Sequence, residues 1–386
     1  MFPKKLQDKL NNRISEQAFR QLGQPHKGID FSSNDYLGFS KSATIFEQAQ
    51  HYLTKNQYLQ NGATGSRLLS GNHPLFQALE NQLHQFHGSE TALVFNSGYD
   101  ANLGFFSAVP QRNDLIFYDE FCHASIRDGI GMSNAKAHKF KHNAVDDLEG
   151  KLKRHAIATD ENRELYVVTE SVFSMDGDSP DLKKISEICH QYSAHLVVDE
   201  AHAIGVFGKN GNGLIPKLEL ETQVFARIIT FGKAMGCHGA AILGSKALRD
   251  YLINFCRPFI YTTALPPHSL ATLMMVYTQL AQLTDTISAQ AKLVQNIAFF
   301  QSEVKRLKLQ QQFISSHSAI QCCIIPGNAA VKKIAKYLQD NGFEIKPILS
   351  PTVSKEKERL RFCLHSFNSS EEISEVLNLL AIFTRA

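Results

Sequence analysis

Residues 227–233 read RIITFGK, an apolar run that ends in a glycine and a lysine. A second run, LVVDEAH at residues 196–202, ends in the same abrupt way. Short continuous runs of β-branched and other apolar residues are typical of strands that are buried on both faces of a parallel sheet. The sequence therefore predicts two buried strands, with Asp199 and His202 directly after one and Lys233 directly after the other.

The chain around these runs alternates apolar strands with amphipathic segments, which predicts a mostly parallel sheet covered by helices. Its strands are expected near residues 92–96, 115–118, 165–169, 195–198, 227–231 and 240–243. A smaller α+β region is expected downstream. Its elements are a helical pattern from Pro267 to about Leu307, strands near 319–325 and 359–363, and helices near 329–341 and 370–384.

The length of 386 residues exceeds the size at which one hydrophobic core usually stops growing, so more than one domain is expected. Residues 1–45 are assigned to an N-terminal segment, with helical spacing over residues 4–22 and a short strand near Ile29. Residues 46–270 are assigned to a large domain. Residues 271–386 are assigned to a linking helix and a small C-terminal domain.

Composition narrows the class of protein. A hydrophobic share of 43% and a charged share of 20% are ordinary for a soluble globular chain, and a net charge of +3 is too small to indicate a nucleic-acid partner. Seven cysteines without paired spacing indicate a reducing compartment. No signal core or membrane-spanning run is recognisable, so a cytoplasmic protein is expected. The histidines lack metal-ligand spacing, and no metal site is expected.

Polar residues follow five of the predicted strands. Because ligands of open α/β sheets bind beyond the carboxyl ends of the strands, these residues predict one site. In chain order they are Ser97, Gly98 and Tyr99, then His123, then Ser174, then Asp199 and His202, and finally Lys233. Taken singly, Lys233 could be a surface lysine, Asp199 a helix cap and His123 a satisfied buried histidine. Their joint occurrence favours the site.

An amine and a carboxylate at two such strand ends suit pyridoxal 5'-phosphate (PLP). Lys233 would hold the aldehyde as a Schiff base, and Asp199 would keep the pyridine nitrogen protonated. Residues 96–102 lead from a strand into a helix, where exposed N–H groups could cradle the phosphate or form a plain turn. His123 is placed to stack on the ring, and Tyr99 to cover it.

Three further segments have less specific interpretations. Glycine-rich residues 61–72 permit close approach to a ligand or another subunit, but an ordinary loop has the same composition. Residues 208–213 match neither a dinucleotide fingerprint nor a P-loop and are expected to form a loop. Cys237, next to His238, is expected to be either a buried structural thiol or a reactive one.

The chain resembles the α-oxoamine synthases, PLP enzymes that condense an amino acid with an acyl thioester and release carbon dioxide. The likeness runs from about residue 29 to the C-terminus. It is carried by SNDYLG at 33–38, the glycine-rich segment 62–71, SGY at 97–99, HAS at 123–125, TESVFSMDGD at 169–178, DEAH at 199–202 and TFGK at 230–233. The resemblance implies a fold type I, aspartate-aminotransferase-like transferase that forms homodimers, with residues 46–270 as the PLP-binding domain and active sites at the subunit interface.

Within this family, SPDL at 179–182 and PTV at 351–353 favour members that join L-alanine to a pimeloyl thioester in biotin biosynthesis. The acyl carrier would be CoA or an acyl carrier protein. Members that use glycine with acetyl-CoA are the nearest alternative, and members that form 5-aminolevulinate are a more distant one. Aminotransferases share the fold and the lysine. A PLP-fold regulator would need a DNA-binding domain, for which residues 1–28 are too short.

The resemblance also implies roles for individual residues. Lys233 binds the cofactor and carries protons, Asp199 pairs with the pyridine nitrogen, His202 lies near the phenolic oxygen and His123 stacks on the ring. The other implied cofactor contacts are Gly98, Tyr99, Ser174, Thr230 and, from the partner subunit, Thr263. The implied substrate contacts are Arg361 for the amino-acid carboxylate, Asn34, and Arg20 and Thr352 at the acyl-substrate positions.

Overall fold

The computed structural model describes residues 2–16, 18–22, 28–156, 162–282 and 288–384. The strands are β1 (Ile29–Asp30), β2 (Thr91–Phe95), β3 (Leu115–Asp119), β4 (Lys136–Phe140), β5 (Leu165–Glu170), β6 (Ala194–Asp199), β7 (Ala226–Thr230), β8 (Ala240–Gly244), β9 (Ile320–Ile324), β10 (Phe343–Glu344), β11 (Lys346–Ile348) and β12 (Arg359–Cys363).

The helices are α1 (Lys4–Ser15), α2 (Ala43–Lys55), α3 (Pro74–His87), α4 (Gly98–Ala108), α5 (Ala124–Met132), α6 (Val145–Ala156), α7 (Leu182–Gln191), α8 (Leu214–Lys217), α9 (Lys246–Phe255), α10 (Arg257–Ile260), α11 (Pro267–Gln282), α12 (Ala289–Arg306), α13 (Asn328–Asp340) and α14 (Ser370–Thr384). Short 3-10 helices lie at Phe39–Lys41 and Lys209–Gly211. Over the described residues, none of these helices is both long enough and apolar enough to cross a membrane.

The chain forms two compact units whose limits differ from the expected domains. The larger unit comprises the described residues of 35–173 and 179–291, and the smaller unit those of 1–34, 174–178 and 292–386. The larger unit extends past residue 270 because α11 packs against α2 and α3. The N-terminal segment is divided at residue 34 because β1 pairs with β10 of the C-terminal region.

A seven-stranded sheet, counted over the described residues, organises the larger unit in the order β2-β8-β7-β6-β5-β3-β4. β8 runs antiparallel to both of its neighbours, and the other pairs are parallel. The mostly parallel sheet predicted from the sequence is therefore confirmed. β4 was not predicted, because its residues KAHKF are polar and largely exposed at the sheet edge.

Helices cover both faces of this sheet, and this explains why its central strands read as unbroken apolar runs. Every residue of β5 and of β7 is buried. Val197 packs into the core on one face with Ile228 and Phe105, whereas its neighbours Leu196 and Val198 pack into the core on the other face. Alternation of side chains along a strand places each run in two cores at once.

A buried ion pair fixes the segment that follows β6 to the start of β7. Arg227 Nε donates to Glu200 Oε2 over 2.7 Å, and Arg227 Nη1 donates to the carbonyl of His87 over 2.7 Å. The other oxygen of Glu200 accepts from the backbone N–H groups of Leu214 and Ile215, over 2.6 and 2.9 Å. Both side chains are almost fully buried. The pair therefore connects the residue after Asp199 to the strand that leads to Lys233.

The smaller unit contains an antiparallel sheet in the order β11-β12-β9, the parallel pair β1-β10, and helices that include α13 and α14. The strands predicted near 319–325 and 359–363 correspond to β9 and β12; β10 and β11 were missed because they are two and three residues long. The helix expected over 4–22 ends at Ser15, as Glu16 leaves the helical conformation. The pattern expected from 267 to 307 forms two helices, α11 and α12, and residues 283–287 between them lie outside the described residues.

Removing one partner of the buried pair should destabilise the protein strongly. In Arg227→Ala, Glu200 is left as an uncompensated buried charge, so the free energy of unfolding should fall by about 3–5 kcal/mol. Urea unfolding followed by circular dichroism measures the loss. Lys184→Ala is the control, because its pair with Glu187 is exposed and should change stability by less than about 1 kcal/mol. Equal losses in the two variants would contradict the anchoring role.

Candidate active site

Two adjacent strands of the larger unit carry expected site residues at their carboxyl ends: Asp199 ends β6, and Thr230 ends β7. In the register of the sheet, Glu170 of β5 lies beside Asp199 of β6, and Asp199 lies beside Ile228 of β7. β7 ends at Thr230, and Lys233 follows three residues later. A carboxylate and an amine therefore leave neighbouring strands at the same edge, as the sequence predicted.

Asp199 is held at both of its carboxylate oxygens. Its Oδ1 accepts from the backbone N–H of Ala201 over 2.9 Å, and its Oδ2 accepts from Asn102 Nδ2 over 2.8 Å. Asn102 Nδ2 also donates to Ser125 Oγ over 3.1 Å, and that hydroxyl lies 2.8 Å from Nδ1 of His123. Asp199 and His123, the two residues expected to contact the pyridine ring, are thus connected through two buried side chains.

His202 is fixed by a tyrosine from the N-terminal end of the larger unit. The hydroxyl of Tyr36 lies 2.7 Å from His202 Nδ1, and both side chains are buried. A hydrogen bond to one ring nitrogen determines which nitrogen carries the proton in a neutral imidazole. Tyr36 therefore orients the histidine that was expected near the phenolic oxygen of the cofactor.

Glu170 adds a second buried carboxyl group to this edge. Its Oε1 accepts from the backbone N–H of His123 over 2.6 Å. Burial raises the pKa of Glu170 to about 8, and the charge of Asp199 adds to that shift, whereas the charge of Lys233 opposes it. Desolvation lowers the pKa of His123; the charge of Asp199 raises that pKa, and the charge of Lys233 lowers it further. The charges of Asp199 and Lys233 therefore act on both Glu170 and His123.

The start of α4 has the geometry of a phosphate cradle. Ser97 caps this helix by accepting from the backbone N–H of Asp100 over 3.0 Å, and the N–H groups of Gly98 and Tyr99 lie in the first turn, where intrahelical acceptors are lacking. A Cβ atom on Gly98 would meet Thr230 Cγ2 at 2.4 Å. Gly98 and Thr230 are therefore in close contact, and the Tyr99 side chain is exposed beside them.

Thr263 lies close to the residue that precedes this cradle. Asn96 Nδ2 donates to the carbonyl of Thr263 over 2.5 Å and to Thr262 Oγ1 over 3.2 Å. The Thr263 side chain itself is exposed. Its expected contact with a phosphate in the partner subunit stays a prediction.

In the smaller unit, Arg361 contacts two other expected site residues, Ser174 and Asn34. Its Nε donates to the carbonyl of Ser174 over 2.7 Å, and its Nη2 donates to Asn34 Oδ1 over 3.0 Å. Its Nη1 lies 2.8 Å from Cys363 Sγ. A guanidinium has five N–H donors in a planar fork, a geometry that matches a carboxylate. Ser174 follows β5 in the chain but groups with the smaller unit.

The two residues expected at acyl-substrate positions contact each other. Arg20 Nη2 donates to Thr352 Oγ1 over 3.4 Å, and both side chains are exposed. They are 332 positions apart in the chain, so this contact depends on the fold of the smaller unit. Their role toward a substrate stays a prediction.

Cys237 has the properties of a structural thiol. Burial raises its pKa to about 12, and the thiolate, which is the reactive form, is scarce at neutral pH. Its backbone N–H donates to the carbonyl of Phe231 over 2.8 Å, within the turn around Lys233. Of the two interpretations given for Cys237, these observations favour the structural one.

Sequence reasoning assigned no role to Asn102, Ser125, Glu170 or Tyr36. All four lie inside strings that carry the family resemblance or in the strand-to-helix segment 96–102. Their roles come from contacts with residues distant in the chain, such as the 97 positions that separate Asn102 from Asp199. The usable signal was a polar residue, Asn102, among the apolar residues Ala101, Phe105 and Phe106 of α4.

The profile of the family described as aminotransferase class I and II matches residues 26–380. The chain belongs to this family. It is 39% identical over 389 residues to an 8-amino-7-oxononanoate synthase from Emericella nidulans, and the alignment covers 97% of this chain and 94% of that protein. The resemblance to the α-oxoamine synthases is thereby confirmed.

Solved structures give the same result for the fold. The 8-amino-7-oxononanoate synthase of Francisella tularensis is 30% identical, with a TM-score of 0.77 over 93% of this chain and 98% of that chain. The serine palmitoyltransferase of Sphingomonas wittichii is 26% identical, with a TM-score of 0.89 over 99% of this chain and 98% of that chain. The predicted fold type I transferase is confirmed.

The residues of the larger unit fit a bound PLP. Thr230 Oγ1 is buried and has no hydrogen-bond partner among the described residues. Such an atom is costly to bury unless a ligand satisfies it. The Cγ2 methyl group of the same threonine lies against Gly98 at the start of α4, where the helix N-terminus suits a phosphate. Asp199 and His123 supply the carboxylate and the imidazole that the pyridine ring requires.

Filling the space at Gly98 should weaken cofactor binding. In Gly98→Ala, the new methyl group meets Thr230 Cγ2, and overpacking of about 1–3 kcal/mol corresponds to a roughly five- to hundred-fold weaker affinity for PLP. Titration of the apoprotein with PLP, followed by absorbance, measures it. Gly131→Ala in α5 is the control, because a Cβ atom there meets nothing within 4 Å. An unchanged PLP affinity in Gly98→Ala would contradict the cradle.

Proposed function

We propose that this enzyme catalyses the decarboxylative condensation of L-alanine with a pimeloyl thioester. The products are 8-amino-7-oxononanoate, carbon dioxide and the free carrier thiol, a step of biotin biosynthesis. The observation that carries this proposal is the 39% identity, over 97% of the chain, to an 8-amino-7-oxononanoate synthase. The cofactor is PLP, and the enzyme is a PLP-dependent acyltransferase.

Bound PLP supplies an electron sink for the electron pair that is left on the amino-acid α-carbon. Lys233 would hold the aldehyde of the cofactor, and its amine would carry the proton of the amino-acid α-carbon. Asp199, oriented by Ala201 and Asn102, would keep the ring nitrogen protonated. His123 would stack on the ring, and His202, held by Tyr36, would face its phenolic oxygen.

The remaining contacts are assigned by residue. Thr230, Ser174, Gly98 and Tyr99 bind the cofactor. Arg361 binds the carboxylate of alanine as a fork, because a planar guanidinium matches a carboxylate with two parallel hydrogen bonds. Asn34, which accepts from Arg361, orients it. Arg20 and Thr352 contact the acyl substrate, which is carried on CoA or on an acyl carrier protein.

The enzyme is proposed to act as a homodimer with active sites at the subunit interface. Leu68, Leu69 and Tyr261 are 49%, 83% and 70% exposed. They lie on two segments that are joined by a hydrogen bond from the N–H of Ala264 to the carbonyl of Gly65. Exposed apolar side chains grouped in this way are typical of protein interfaces. A second copy of the chain would cover them and present its exposed Thr263 to the phosphate.

A reducing compartment, the cytoplasm, is the proposed location. All seven cysteines are unpaired, and six of them are buried. Disulfides form and persist in oxidising compartments and are rare in the cytosol. The thiols of this chain therefore suit a cytoplasmic enzyme.

Replacement of Lys233 should abolish catalysis. Lys233→Ala removes both the covalent anchor and the proton carrier, so turnover should fall by at least about a thousand-fold. The visible absorbance of the covalently bound cofactor should vanish with it. Lys246→Ala is the matched control, because Lys246 is exposed and pairs with Asp250 at the surface. Full activity in Lys233→Ala would refute the assignment.

A direct comparison of substrates tests the reaction. Turnover with L-alanine and pimeloyl-CoA should exceed turnover with glycine and acetyl-CoA, the pair used by 2-amino-3-ketobutyrate CoA ligase. Discrimination by the methyl group of alanine alone is worth about 1–3 kcal/mol, or roughly 10- to 200-fold in kcat/KM. A preference for glycine and acetyl-CoA would contradict the proposal and indicate 2-amino-3-ketobutyrate CoA ligase activity instead. Repeating the assay with a pimeloyl carrier protein identifies the acyl carrier.

A further inference from the structure

We propose that Asn102 is a positioning residue that orients, at the same time, the carboxylate facing the pyridine nitrogen and the imidazole facing the ring. Its Nδ2 group contacts Asp199 directly and His123 through Ser125. Asn102, Ser125 and Asp199 are 2%, 1% and 5% exposed, so water competes little for these hydrogen bonds. This inference rests on the PLP site proposed above and assigns a residue that supports it.

The carboxylate of Asp199 determines which way the Asn102 amide points. The NH2 group can donate to Asp199 Oδ2, whereas a flipped amide would bring two acceptor oxygens to 2.8 Å from each other. In the observed orientation, Asn102 Oδ1 is buried and lacks a partner among the described residues. A buried acceptor without a partner is unfavourable. The amide therefore holds this orientation because its two donors are both used.

The second donor of Asn102 sets the hydrogen bonding of His123. Because Ser125 Oγ accepts from Asn102, its own hydrogen is left to donate to His123 Nδ1, 2.8 Å away. The same nitrogen accepts from the backbone N–H of Ser125 over 3.2 Å. With Nδ1 as the acceptor, a neutral imidazole carries its proton on Nε2. One amide thus holds the carboxylate of Asp199 and, through the Ser125 hydroxyl, supports the His123 tautomer that the backbone N–H of Ser125 also favours.

The position of Asn102 on α4 explains why this side chain is suited to the task. Gly98, at the phosphate end of the proposed site, and Asn102 are four residues apart and therefore lie on one face of the helix. Four residues of α-helix span about 6 Å along the axis. A single rigid element thus supplies the contact for the phosphate and the support for Asp199. Side chains that project from a rigid helix are positioned more precisely than side chains on loops.

The test compares two cofactors on the full-length chain: PLP and 1-deazapyridoxal 5'-phosphate, in which a C–H group replaces the ring nitrogen. The measured quantity is the affinity ratio, the dissociation constant of the deaza compound divided by that of PLP. The wild-type ratio should be well above one, because only PLP offers a ring N–H to Asp199. Asn102→Leu and Asn102→Ala should lower the ratio by about ten-fold, the size expected for a hydrogen bond to a charged group.

Two other variants separate the parts of the network. Ser125→Ala should weaken both cofactors equally and leave the ratio unchanged, because stacking by His123 does not depend on the ring nitrogen. Asn296→Ala is the control for removing a buried amide: Asn296 is 6% exposed and donates to the carbonyls of His365 and Asn368. It should also leave the ratio unchanged. Asn102→Leu keeps the number and branching of the side-chain heavy atoms, so it decides the question should the alanine variant not fold.

Two outcomes overturn the proposal. An unchanged affinity ratio in a folded Asn102 variant would show that the amide does not act through the ring nitrogen. A wild-type ratio near one would show that Asp199 does not engage that nitrogen, leaving Asn102 nothing to position. Neither measurement involves alanine or a thioester. Failure here is therefore distinguishable from failure of the proposed reaction, which the substrate comparison tests.

Discussion

The parallel pairing of β6 with β5 on one side and β7 on the other is the constraint on which the site depends. Backbone hydrogen bonds continue past the ends of β5 and β6. The N–H of Ser171 donates to the carbonyl of Asp199, and the N–H of Glu200 donates to the carbonyl of Ile228. Because side chains alternate along a strand, a shift by one residue would turn Asp199 to the opposite face. The burial of the central strands on both faces makes such a shift costly.

The same pairing places two carboxyl groups next to each other, and the site needs a means of limiting their repulsion. Two carboxylates on adjacent strands repel each other, so ionisation of Asp199 disfavours ionisation of Glu170. Burial raises the pKa of Glu170 to about 8, and the charge of Asp199 adds to that shift. Its Oε1 accepts from the backbone N–H of His123. The raised pKa favours the neutral form of Glu170 relative to an exposed glutamate, which weakens the repulsion between the two carboxyl groups.

Much of the fold was predictable because buried segments have a recognisable apolar composition. The central strands were found because strands covered on both faces are apolar at every position. β4 was not predicted because an exposed edge strand lacks this apolar composition. The larger compact unit extends beyond residue 270 because α11 packs against α2 and α3, and packing partners cannot be read from sequence spacing. Strand ends were therefore predictable, and the assignment of helices to units was not.

The positions of Asp199 and Lys233 after neighbouring strands were predictable from the sequence. Contacts through which one residue supports another were not. Asn102 and Tyr36 have ordinary residue types, and only tertiary contacts connect them to Asp199 and His202. Asparagine is also preferred at helix caps, so its residue type alone does not indicate a supporting role in a site. A polar side chain buried among the apolar residues of a helix is the one local sign of such a role.

Ser174 shows how a short segment can belong to a different unit from the strand before it. Arg361 binds its carbonyl, and Arg359 binds the carboxylate of Asp176 within the smaller unit. Gly177 has φ +76°, and a Cβ atom there would meet the carbonyl oxygen of Ile320 at 2.2 Å, so only glycine fits. Two arginines and one glycine therefore fix residues 174–178 in this unit. The guanidinium expected to bind the amino acid is also the one that holds the backbone of a serine expected to bind the cofactor.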